Sequence, residues 1–137
     1  MMDALTKYLE KVKEKKKVKG YMIIPLEYKK IKEDYIMLFQ KNIQKIVKEM
    51  DLTLTEYKVF LYLLSITDFE NFILITQQEM SEELKIKQSN ISNALKSLEK
   101  KGLIIKERKG RNNFYKINPN IAWKGREKNR KNILQME

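Results

Sequence analysis

The chain predicts a mainly α fold carrying a small β-hairpin wing, and three observations point to it. Residues 77–103 read as two short helices joined by a tight turn, the second with two unlike faces. That second helix stops at Gly102, the usual left-handed C-terminal cap. After Gly102 the hydrophobic period changes from helical to alternating, and two short strands flank a Gly/Asn turn.

The elements follow in order. Residues 1–20 form a basic tail with a weak apolar stripe (Leu5, Tyr8, Leu9, Val12), readable as a solvated end or as a DNA-contacting arm. Residues 21–52 form an extension. Residues 21–26 make an edge strand or connector broken at Pro25, 35–39 a buried strand, and Ile43, Ile46, Val47 and Met50 recur at helical spacing. Thr53 with Glu56 matches a capping box and opens a helix from Leu54 to about Ile66, with Tyr57, Phe60, Leu61, Leu63 and Leu64 on a broad apolar face. Residues 68–71 are a polar turn and 72–75 a β-branched strand. Thr76 with Glu79 caps the next helix, whose core face is Met80 and Leu84. In the helix after it, Ile91, Leu95 and Leu98 make the apolar stripe. Strands at 103–108 and 114–118 then enclose a basic tip at 109–113, with Leu103 and Ile105 in the core. Helix, strand, helix, helix, hairpin is the element order of a winged helix-turn-helix domain, placed at 53–118, and a basic segment follows at 119–137.

Charge narrows the function. The 137 residues carry a formal net charge of +11 with 42% hydrophobic residues, so this is a folded chain that needs a polyanion as partner. Residues 11–19 hold six lysines against one glutamate, and 106–137 hold ten Lys/Arg against three Glu. Between 48 and 83 the balance reverses, with two lysines against eight acids. Such segregation suits a molecule that lays one side on a phosphate backbone. No run of about 18 apolar residues predicts a membrane span, no signal peptide is apparent, and the absence of cysteine fits a cytoplasmic protein. With no histidine, no His-ligated metal, His base or Ser-His-Asp triad can exist. No glycine-rich phosphate loop is present, and no cofactor is expected.

The candidate site is the polar face of the second helix. Gln88, Ser89, Asn90, Ser92 and Asn93 are side chains that read base edges, and Lys87 and Lys96 stand where phosphate contacts belong. Solvated helix faces are usually Glu and Lys, whereas this one is Ser, Asn and Gln. Asn and Gln pair bidentately with adenine, which fits an A·T-containing double-stranded target. At the wing, Lys109, Arg111 and Asn112 reach the backbone or a minor groove, with Arg111 foremost; the alternative is an exposed charged turn. Trp123 either stacks on a base or packs the C-terminal segment onto the domain.

The run EYKVFLYLLSITDFENFILITQQEMSEELKIKQSNISNALKSLEKKGLI resembles the winged-helix core of RepL-type replication proteins of small Firmicute plasmids. The ending INPNIAWKG, residues 117–125, resembles the segment those proteins carry directly after the wing. The resemblance covers residues 54–125. It implies a replication initiator that binds the plasmid origin and recruits host replication proteins. Two positions depart from the usual pattern. Lys85 stands where the turn normally holds glycine, and Lys87 where a Ser or Thr would cap, with Ser89 the nearest hydroxyl. These predict a looser turn and a helix start shifted by a residue or two.

Two other functions compete. A MarR-like transcriptional regulator shares the fold and would be a homodimer built from the helix at 42–50 and the C-terminal tail. A rolling-circle nickase acting through a tyrosine generally needs His-ligated metal, which this chain lacks, so a non-enzyme is expected.

Overall fold

The computed structural model divides the chain into two units, Met1–Asp34 and Tyr35–Glu137. The structure describes residues 34–110 and 112–136, together with Ala4 and Lys7, which are helical. The remainder of the basic tail and the strand expected at 21–26 lie outside the described residues.

In the second unit, β1 (Met37–Leu38) leads into α1 (Gln40–Glu49) and α2 (Leu54–Ile66). A 3-10 turn (Phe69–Asn71) and β2 (Phe72–Ile73) precede the helix pair α3 (Gln77–Leu84) and α4 (Gln88–Lys100). The wing is β3 (Ile104–Lys109) and β4 (Asn112–Ile117), followed by β5 (Ala122–Trp123) and α5 (Glu127–Met136). This is a mainly α winged helix with two small antiparallel sheets, one ordered β2-β4-β3 and the other pairing β1 with β5.

The core lies where α2, α4 and the wing sheet pack together. α2 contributes Val59, Phe60 and Leu63, α3 contributes Met80, and α4 contributes Ile91, Ala94, Leu95 and Leu98. The sheet adds Ile73, Ile104, Tyr115 and Ile117. Burying each of the larger side chains stabilises the fold by about 1.5–3 kcal/mol, so these residues fix how α4 sits.

Several local expectations change. The segment at 35–39 is not a buried strand. It pairs with β5 alone, and Tyr35, Met37 and Leu38 are exposed. Val47 and Leu61 are also exposed, because they face away from the core sides of α1 and α2. The strand at 72–75 shortens to Phe72–Ile73. Ile104, not Ile105, is the inward residue of β3. The register pairs Ile104 with Ile117, which sends Ile105 to the outer face beside Lys116. The five-residue wing tip closes to two residues, since Lys109 already pairs with Asn112.

The two threonine caps form as expected. Thr53 and Thr76 each accept a hydrogen bond from the backbone N–H three residues on, Glu56 and Glu79, both at 3.1 Å. The Glu56 carboxylate is held by the Thr53 backbone, as a capping box requires, and also by Ser97 and Lys101. It pairs with the Lys101 ammonium at 2.9 Å.

Candidate nucleic-acid interface

The turn between α3 and α4 is tight despite its sequence. Lys85 takes the left-handed conformation glycine would adopt, with φ 55 and ψ 42. Its N–H and that of Ile86 both return to the Ser81 carbonyl, and the Ser81 hydroxyl donates to the Ile86 carbonyl. The predicted loosening is therefore replaced by backbone strain at one residue. α4 begins at Gln88, and Lys87 at its N-cap supplies no side-chain cap. The helix ends as the sequence dictates. Gly102 has φ 79, its N–H reaches the Glu99 carbonyl, and the Leu103 N–H reaches that of Leu98. These two bonds make a Schellman cap, which satisfies orphan carbonyls and turns the chain into β3.

At about 100° per residue, the buried positions of α4 centre on one side and leave a stripe opposite. Ser89, Asn93 and Lys96 are exposed on that stripe, with Ser92 half-buried at its edge. Lys100 continues it, four residues beyond Lys96, and is exposed. The sequence reading missed Lys100, although its spacing from Asn93 and Lys96 marks it. Lys87, Gln88 and Asn90 are exposed too, but Gln88 and Asn90 flank the stripe on either side. Asn90 and Asn93 both border a shallow cleft with Thr53, Thr55 and Glu56 at the start of α2. Arg111 lies outside the described residues, and for Lys109 and Asn112 the backbone alone is described.

The electrostatics separate lysines already occupied from those left open. Lys101 is held by Glu56. Burial works to raise the Glu56 pKa, but hydrogen bonds from Lys101 and Ser97, the Lys101 charge and the Thr53 backbone outweigh it and keep the carboxyl below its ordinary value. Lys116 is held by Glu107 at 3.3 Å and sits 4.4 Å from the centre of the Phe72 ring. Lys96 and Lys100 make no ion pair among the described residues. Among the described residues no cluster of carboxylates could hold a metal ion. Burial, with the charges of Glu83 and Glu79, raises the Tyr62 pKa.

The segment after the wing is built into the fold. Asn71 is fully buried; its side-chain amide donates to the Ile117 and Ala122 carbonyls, both at 2.8 Å, and its oxygen accepts the Lys124 N–H at 3.0 Å. Asn118 donates to the Gly102 carbonyl at 2.8 Å and accepts the Asn120 N–H at 2.9 Å. Trp123 is 1% exposed, and its indole N–H reaches the Arg126 carbonyl at 3.1 Å. It packs the C-terminal segment and cannot stack on a base. Gly125 has φ 149, and a β-carbon there would lie 3.2 Å from the Trp123 ring. The Asn-Pro-Asn and Trp-Lys-Gly residues thus serve as anchorage. No helix of the described residues is long and apolar enough to cross a membrane.

The model of one protein family, Firmicute plasmid replication protein (RepL), matches residues 12–136. The chain belongs to the RepL family. That match takes in the helix pair, the wing and the anchored segment beyond it, so this RepL protein is a member of a plasmid replication family over nearly its whole length. No curated protein and no solved structure matches the chain.

Proposed function

We propose that this RepL protein is a double-stranded DNA-binding initiator that docks α4 in the major groove of the plasmid origin, without cleaving DNA itself, and recruits host replication proteins there. Residues 53–118 carry the contact in this reading. The observation that carries it is the exposed Ser89, Asn93, Lys96 and Lys100 stripe opposite the buried face of α4. Hydroxyl, amide and ammonium groups in that order suit base edges near the helix start and phosphates farther along. Lys87 at the N-cap and Lys109, Arg111 and Asn112 at the wing supply further phosphate or minor-groove contacts. Gln88, Ser92 and Asn90 act from the edges, so Asn93 is the principal reader.

Binding-site selection from a random duplex pool, followed by footprinting on plasmid DNA, tests this. The selected sequence should fall within the origin, and Asn93→Ala should lower discrimination against a mismatched base by about 1–3 kcal/mol. Asn90→Ala should cost less. Equal loss on selected and random duplexes for Asn93→Ala would remove it as a reader, and protection only at a promoter would favour a transcriptional role.

A further inference from the structure

α2 is apolar on two sides. Its inner side, Val59, Phe60 and Leu63, is buried in the core. On the outer side Leu54 and Leu61 are 84% and 63% exposed, and Tyr57 and Leu64 are half-buried. Those four outer residues fall at i, i+3, i+7 and i+10, the alternating three-and-four spacing of a coiled-coil seam. A helix that is apolar all round is normally enclosed. Among the described residues the seam stands open to solvent.

We infer that the outer face of α2 is a dimerisation surface, taken by α2 of a second copy of this chain in antiparallel order. The seam is its own complement. With a two-fold axis level with Val59, Leu54 meets the partner's Leu64 and Tyr57 meets the partner's Leu61. A two-fold interface needs this self-complementarity. The charges agree with it. Lys58 is exposed on one flank of the seam. The same flank carries Tyr62, which lies close enough to Glu79 and Glu83 of α3 to feel their charge. Antiparallel pairing sets like flanks together, so Lys58 faces the partner's Glu79 and Glu83. Neither acid has an ion-pair partner among the described residues.

Sedimentation equilibrium of the full chain, without DNA, is the test. The expected mass is twice the 16.5 kDa of one chain. Leu54→Glu combined with Leu61→Glu should return it to 16.5 kDa with circular dichroism unchanged, because both positions are exposed, and with a thermal midpoint that no longer depends on protein concentration. The chain has no cysteine, so single thiols report the geometry cleanly. Lys58→Cys lies about 3 Å along the axis from its two-fold mate and should form an intermolecular disulfide, whereas Leu54→Cys lies about 15 Å from its mate and should not. A monomeric wild type, a dimer indifferent to the double substitution, or linkage through Leu54→Cys in preference would each overturn the inference. None of these readouts depends on DNA recognition, so the two proposals fail separately.

Discussion

Lys85 holds a left-handed conformation in which a β-carbon crowds the neighbouring carbonyl. Nothing in its side chain needs that geometry; the turn does. Replacing it with glycine removes the crowding at some cost in unfolded-chain entropy, so Lys85→Gly should raise stability by about 0.5–1 kcal/mol. A urea titration would show it as a higher midpoint at unchanged slope, and an unchanged midpoint would mean the turn relaxes without cost. Asn71 is the opposite case. It also has positive φ, at 67, but its amide uses that backbone to reach three partners. In the sequence Asn71 looked like one polar residue in a turn. Its partners lie 46 to 53 positions away, so no local pattern could announce the burial.

The Glu56–Lys101 pair joins the start of α2 to the end of α4. A carboxyl whose folded pKa is depressed contributes stability that is complete above its unfolded pKa and lost as pH falls through the folded value. Glu56 is such a group. Glu56→Gln should therefore lower stability near neutral pH by about 1 kcal/mol, a figure reduced because Lys101 is partly exposed. The difference between variant and wild type should shrink as pH falls below the ordinary carboxylate range. Parallel stability curves across that window would show that the pair adds nothing. At this scale the sequence was most legible. The helix starts at Thr53 and Thr76, the stop at Gly102 and the hairpin all rest on residues within a few positions of one another. What stayed hidden was the pairing of β1 with β5 and the return of Glu56 to Lys101, because both join distant parts of the chain. The candidate site was legible as a polar helix face, but which of its residues lie opposite the core was not. Only the buried positions of α4 separate Asn93 and Lys100, opposite the core, from Asn90 at the flank.

Across the helix pair, charge is divided rather than spread. Lys96 and Lys100 project from α4, while Glu79, Glu82 and Glu83 are exposed on α3. If the basic side meets phosphates, the logarithm of the association constant should fall linearly with the logarithm of salt concentration, with a slope of about −0.9 per phosphate neutralised. Lys100→Ala should then reduce that slope by roughly one unit on any sequence. A slope unaffected by the substitution would place Lys100 away from the backbone. The anchored segment beyond the wing carries a different consequence. Asn71 grips β4 through Ile117 and the following chain through Ala122 and Lys124, while Asn118 ties the same region back to Gly102. The wing is therefore not a detachable module. A graft that exchanged it at residue 118 would cut through its own foundation, and the natural seam for such a chimera lies past Arg130, which still reaches back to Pro119 and Phe39.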